Sequence, residues 1–287
     1  MSDVEIVEVG PRDGLQNEPR RIALNDKIAL IDLLSQAGFS RIEVASFVSP
    51  KWVPQMADSA EVLAGIRRAT GIKYAALTPN LRGYLDARSA RADEVAIFAA
   101  ASEGFSKANL NCTVAESIER FRPVMEAAKA DGIPVRGYVS VVTDCPYDGP
   151  TAPSSVAQVV AKLRDLGCAE VSLGETLGKA QPEQVTAMLR AVLQEMPADR
   201  LAGHFHDTAG RALRNIDASL ELGLRIFDAA CGGLGGCPYA PGAAGNVATE
   251  AVAAHLEARG FSTRLDMQVV AKAAILARAM RAGDSDV

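Results

Sequence analysis

Aromatic side chains are scarce, at 5% of 287 residues with a single tryptophan. A core of stacked rings is therefore excluded, and aliphatic layers are expected instead. Basic charge is not in excess either. Thirty Lys and Arg face 35 Asp and Glu, for a formal net charge of −5. Neutralising nucleic-acid phosphates needs the opposite balance, so no nucleic-acid partner is expected. No stretch approaches the roughly 18 uninterrupted apolar residues of a membrane helix. The opening Met1-Ser2-Asp3 runs straight into a strand-like segment, which fits neither a signal nor a transit peptide. The five cysteines are an odd number without framework spacing, which points to free thiols in a reducing compartment. A soluble cytoplasmic protein with no membrane partner is expected.

What is present is a long alternation. Strand-like runs occur at Val4–Val9, Arg41–Ser46, Lys73–Leu77, Glu94–Phe98, Val135–Val142, Glu170–Leu173, Leu201–Phe205 and Ile226–Ala229. Between them lie helical patterns. The first is capped by Asn25 and stopped by Gly38, and the next two cover Ser59–Ala69 and Leu81–Ala90. A long one follows near Ala115–Ala130, then Val156–Leu166, Gln184–Glu195 and Leu213–Leu222. Val247–Arg259 and Met267–Met280 close the chain. Alternating β and α elements imply parallel strands with right-handed crossovers, and eight such units are the number that closes a sheet into a (β/α)8 TIM barrel. A doubly wound open sheet is the structural alternative. Such barrels use about 250 residues as one domain, so residues 1–287 are expected to form a single barrel domain.

Barrel active sites lie at the C-terminal strand ends. There the sequence offers Arg12 and Asp13 after the first strand, Glu43 in the second, Glu175 after the sixth, and His204 and His206 at the seventh. A glycine-rich loop with Cys237 follows the eighth and continues to Asn246. Two of only three histidines stand two residues apart at a strand end, which puts both rings on one face. Such a pair is either a divalent-metal site or a hydrogen-bonded pair without metal. In a closed barrel the first strand neighbours the eighth and the eighth neighbours the seventh, so Asp13, His204, His206 and Asn246 converge. That mixed N/O set without thiolate suits Mg²⁺ or Mn²⁺ rather than a structural zinc. Arg12 can hold a carboxylate or an enolate oxygen, or simply pair with Glu43 or Glu175. Cys237 sits in a loop able to act as a lid. The other cysteines, Cys145 included, read as structural. Glu250 starts the next helix, where it can act as an outer acid or base of the site or serve the helix dipole. His255 reads as a surface residue, and Arg20, Arg21 and Lys51 as surface charge that could meet phosphates.

The segment Val7-Glu8-Val9-Gly10-Pro11-Arg12-Asp13-Gly14-Leu15-Gln16-Asn17-Glu18 resembles the opening of the 3-hydroxy-3-methylglutaryl-CoA (HMG-CoA) lyases. Similar in the same way are Ser46-Phe47-Val48-Ser49-Pro50-Lys51-Trp52-Val53-Pro54-Gln55-Met56, Gly233-Leu234-Gly235-Gly236-Cys237-Pro238-Tyr239-Ala240 and Gly245-Asn246-Val247-Ala248-Thr249-Glu250. The resemblance runs in order over nearly the whole chain. It implies a metal-dependent barrel lyase that cleaves a 3-hydroxyacyl-CoA to acetyl-CoA and acetoacetate, in leucine catabolism and ketone-body formation. It carries metal ligation onto Asp13, His204, His206 and Asn246, and substrate binding onto Arg12, Glu43 and Glu175. Catalysis is carried onto Cys237, Arg12 and His204. An acyl-CoA is the expected partner, and a homodimer the expected assembly.

Two positions depart from the family pattern. Glu175 stands where an aspartate is usual, and Ala209 where a tyrosine is usual. A longer acid and a smaller neighbour make a lyase for a different 3-hydroxy-3-substituted acyl-CoA the main alternative. A condensing synthase and a non-catalytic acyl-CoA-binding barrel are the others.

Overall fold

A computed structural model of the chain describes residues 3–236 and 245–282. Eight parallel strands close into a barrel. They are β1 (Glu5–Glu8), β2 (Arg41–Ser46), β3 (Lys73–Leu77), β4 (Glu94–Ala100), β5 (Val135–Ser140), β6 (Glu170–Glu175), β7 (Leu201–Phe205) and β8 (Ile226–Ala229). Neighbours follow chain order, and β1 closes the circle by pairing with both β2 and β8. The architecture is the (β/α)8 barrel, and the open-sheet alternative falls away. Among the described residues, no helix is long and apolar enough to cross a membrane.

The strands alternate in chemistry as well as direction. Ile42 and Val44 on β2, and Val171 and Leu173 on β6, belong to an aliphatic shell packed against the helices. Their sequence neighbours Arg41, Glu43, Glu170 and Ser172 are also buried. Arg136 of β5 reaches Glu170 at 2.6 Å and Asp228 of β8 at 2.7 Å, so these polar side chains meet inside the barrel. Barrels of this kind are usually filled by Val, Ile and Leu. The expected aliphatic layers therefore lie around this barrel, while its interior carries paired charge.

Several element boundaries differ from expectation for local reasons. The helix Leu24–Leu34 has Ala23, not Asn25, as N-cap, and it ends before Gly38 is reached. The second helix stops at Gly65, where Ile66 turns extended. The long helix near 115–130 is two helices, Val114–Arg120 and Arg122–Asp131, which meet at Phe121. Pro123 has no N–H to continue the ladder, so the chain restarts there. A separate helix, Glu103–Leu110, precedes them. Between β5 and its helix, Asp144–Cys145 pairs antiparallel with Gly149–Pro150 in a short hairpin that no sequence periodicity announced.

Candidate active site

After β1 the chain makes one wide turn, Gly10–Gly14, instead of a regular helix. The amides of Arg12, Asp13 and Gly14 all donate to the Val9 carbonyl, at 3.2, 2.8 and 3.2 Å. That turn presents Arg12 and Asp13 on consecutive residues at the mouth. The Arg12 guanidinium is buried and forks: Nε donates to Glu43 Oε2 at 2.7 Å and Nη1 to Asp13 Oδ1 at 2.7 Å. Of the two ion pairs considered for Arg12, the one with Glu43 forms.

His204 is the penultimate residue of β7 and lies beside Asp228 of β8, its register partner. Its Nδ1 lies 3.1 Å from Asp228 Oδ2, while Nε2 lies 3.9 Å from Asp13 Oδ2. The His206 ring is 5.5 Å from that of His204. Asp13, His204 and His206 each offer one ligand atom, all within 4.8 Å of one another. Asn246 joins them because it pairs with His206 across a single β-bridge, and its side-chain amide donates to Asp13 Oδ2 at 2.8 Å. Glycines make that approach possible: a Cβ on Gly245 would lie 2.2 Å from the Gly235 carbonyl oxygen, so the two ends of the loop cross backbone on backbone. The four residues gathered by topology are thus neighbours in space.

Electrostatics favour a cation here. Burial raises the Asp13 carboxyl, but Arg12, His204 and the Asn246 amide outweigh it and hold the pKa at about 2. Burial, helped by the charge of His204, lowers His206 to about 4, so its ring is neutral at pH 7 and able to donate a lone pair. Among the described residues, the buried Nδ1 of His206 has no hydrogen-bond partner. A buried orphan nitrogen on a neutral imidazole beside an anionic carboxylate fits a divalent-metal centre.

Glu175 ends β6, and the His206 amide donates to its carbonyl at 3.4 Å. Its Oε1 accepts from the Lys179 amide at 3.2 Å, while its buried Oε2 has no partner among the described residues. Burial raises this carboxyl to about 7. Glu43 likewise has no partner for Oε1 among the described residues, and burial raises its pKa despite Arg12. Nearby, Val141 adopts φ +57°, a conformation a β-branched residue rarely takes. Thr176 Oγ1 accepts from the Val141 amide at 2.9 Å and Thr151 Oγ1 donates to its carbonyl at 2.7 Å, fastening the hairpin to the Glu175 loop.

Other expected residues fall elsewhere. Cys237 lies outside the described residues. The Glu250 carboxylate accepts from the Gly232 amide at 3.0 Å and from Arg278 at 2.9 Å, so its contacts anchor the base of the loop rather than touch Asp13 or the histidines. His255 is only partly exposed and pairs with Asp217 at 2.7 Å. Arg20, Arg21 and Lys51 are exposed, as expected of surface charge.

Sequence reading missed Asp228, Arg136, Tyr138 and Glu8. Asp228 and Arg136 are linked to His204 as above. Tyr138 donates to Glu43 Oε2 at 3.2 Å and accepts from Arg136 at 3.0 Å. Glu8 is fully buried and accepts from the amides of Gly10 and Cys231 and from Thr249 Oγ1. Polar residues in strands that should be buried on both faces were the available sign.

The family model HMGL-like matches residues 3–276. A Pseudomonas aeruginosa protein named 3-hydroxy-3-isohexenylglutaryl-CoA/hydroxy-methylglutaryl-CoA lyase is 55% identical over 270 residues, covering 94% of this chain and 90% of that one. The crystal structure of the HMG-CoA lyase from Brucella melitensis is 60% identical, with a TM-score of 0.97 over 98% of this chain and 100% of that one. An HMG-CoA lyase from Acinetobacter baumannii, solved with coenzyme A and 3-methylmalate, is 39% identical. Its TM-score is 0.93 over 98% of this chain and 92% of that one.

Proposed function

This chain belongs to the HMGL-like family, and from that premise we propose that it is a carbon–carbon lyase cleaving 3-hydroxy-3-methylglutaryl-CoA to acetyl-CoA and acetoacetate. The observation that carries the reading is the grouping of Asp13, His204 and His206 within 4.8 Å, with Asn246 on the same aspartate. Asp13, His204, His206 and Asn246 would hold the cation, and their N/O chemistry supports Mg²⁺ or Mn²⁺. When bound, it supplies positive charge that makes the substrate's tertiary hydroxyl more acidic.

The chain's own groups do the rest. The resemblance assigns His204 both catalysis and metal binding. Its Nδ1 is engaged by Asp228, leaving Nε2 for one of those roles, and the grouping with Asp13 supports the ligand role. The Arg12 cation beside Glu43 opposes its taking up a proton. Proton removal then falls to Glu175, whose Oε2 is without a partner among the described residues and whose pKa of about 7 suits a general base near neutrality. The C2–C3 electron pair moves onto the thioester as an enolate, and the hydroxyl oxygen becomes the ketone of acetoacetate. Arg12, fixed between Asp13 and Glu43, is oriented to stabilise the enolate oxygen without reorganising. Cys237 is the acid proposed to protonate the enolate carbon.

A lyase restricted to a different 3-hydroxyacyl-CoA is not favoured, because the Pseudomonas relative is named for HMG-CoA alongside 3-hydroxy-3-isohexenylglutaryl-CoA and a Bos taurus relative for HMG-CoA alone. A coenzyme A thioester as substrate is supported by the ligand in the Acinetobacter structure. The single barrel domain, homodimeric assembly, cytoplasmic location and a role in leucine catabolism and ketone-body formation belong to the same proposal. The test is release of acetyl-CoA from HMG-CoA by the purified protein, expected to vanish with chelator and return with Mg²⁺ or Mn²⁺. Metal-replete protein that leaves HMG-CoA intact would overturn the reading.

A further inference from the structure

Asp228 lies in the barrel interior and belongs to none of the expected site residues. Its side chain is fully buried and has three polar partners. Arg136 Nη2 donates to Oδ1 at 2.7 Å, Ser172 Oγ donates to Oδ2 at 2.7 Å, and His204 Nδ1 stands 3.1 Å from Oδ2. Arg136 is held in turn, by Glu170 at 2.6 Å and by the Tyr138 hydroxyl at 3.0 Å. A guanidinium has no acceptor atom, and an ionised carboxylate has no donor. Arg136 can therefore only give to Asp228, and Asp228 can only receive from His204.

We propose that Asp228, locked by Arg136 and Ser172, is a positioning residue that fixes His204 in the Nδ1–H tautomer and so turns the Nε2 lone pair toward Asp13. Carboxylates behind metal-bound histidines commonly do this, and their loss typically costs 10–100-fold in metal affinity or activity. The inference takes its purpose from the lyase reading, but its geometry does not depend on which substrate is cleaved.

The isosteric change Asp228→Asn separates tautomer control from packing. The Arg136 donor demands the amide oxygen, because an NH₂ placed there would face another donor in a buried site. The NH₂ then faces His204 and Ser172. The serine hydroxyl can rotate to accept, but the imidazole Nδ1 must become an acceptor, which drives the proton to Nε2. The lone pair that faced Asp13 is lost.

Histidine-selective ¹⁵N NMR on the full-length, metal-free protein at mildly alkaline pH reads this directly. With only three histidines in the chain, assignment by single substitution is practical. His255, whose Nε2 lies 2.7 Å from Asp217, serves as an internal reference for the opposite tautomer. The expected wild-type result is Nδ1–H at His204, and the expected result in Asp228→Asn is Nε2–H. Mn²⁺ alone should bind the variant about 10–100-fold more weakly than wild type. An Nε2–H tautomer in the wild-type protein overturns the proposal even if the variant fails to fold. A folded variant with an unchanged tautomer, or with wild-type Mn²⁺ affinity, overturns it too. These readouts keep their meaning if HMG-CoA is not the substrate, so the two ideas can fail separately.

Discussion

Glu8 shows what a single buried carboxyl does to this molecule. Burial raises its pKa from 4.5 to about 7 despite hydrogen bonds from Thr249, Cys231 and Gly10. Between those two values the folded chain holds a proton that the unfolded chain has released, so stability falls as pH rises through the window. The slope from this one group is about 1.4 kcal/mol per pH unit. Glutamine can keep the two amide contacts on its oxygen and offer its NH₂ to the Thr249 hydroxyl. Glu8→Gln should therefore lose that part of the pH dependence in urea unfolding between pH 5 and 7, set as roughly the middle of the window. An unaltered slope would move the titration to another group. At the mouth, His206→Ala should weaken Mn²⁺ binding by at least about 10-fold, whereas Cys237→Ala should leave it intact and lower turnover. Calorimetric titration of both variants distinguishes a ligand from an acid. His204 and His206 were legible in the sequence because histidine is rare and the spacing of two is explicit. Asp228 and Glu8 were not, since a lone acid in a strand does not reveal that the facing residues are arginine, serine or backbone amides from distant segments.

At the level of elements, the turn after β1 and the loop after β8 have to fit together closely. A Cβ on Gly14 would lie 2.7 Å from the Leu234 Cβ. Gly14→Ala should push the turn off the loop, costing about 1–3 kcal/mol and displacing the adjacent Asp13. Thermal unfolding and Mn²⁺ titration should both change. A loss of stability with unchanged affinity would show that Asp13 is placed independently of this packing. Elements of this chain were legible where periodicity had room to act. Strands β2, β3, β7 and β8 occupy the residues expected of them, because each is a compact run with turn residues around it. The hairpin at Asp144–Cys145 and Gly149–Pro150 has two residues per strand, too few for an alternation to register. The helix break at Phe121 was equally hidden, since Pro123 is tolerated in the first turn of a new helix as readily as it interrupts an old one.

Across the whole molecule, charge inside the barrel ties distant strands together. Arg41 of β2 reaches Glu5 of β1 at 2.8 Å and Glu170 of β6 at 3.0 Å, with Glu94 of β4 at 3.7 Å. Arg41→Ala would leave that buried carboxylate cluster short of a cation, and loss of one partner of a buried pair costs about 3–5 kcal/mol. A lowered thermal midpoint with wild-type Mn²⁺ affinity is the expected pair of results. An unshifted midpoint would mean that the network is not stabilising. The barrel itself was legible from eight alternations, but its charged filling was not, because composition cannot say which face of a strand a polar residue takes. The contact between Asn246 and Asp13 spans 233 positions, and it has a bearing on how the polypeptide is made. As synthesis proceeds, the aspartate leaves the ribosome long before its amide partner exists, and β1 waits with one edge bare until β8 is translated. A nascent chain can display the two imidazoles and the acid yet have no finished cage for an ion. Capture of a cation would thus wait for the segment that carries Asn246, when the first and last staves of the barrel finally meet.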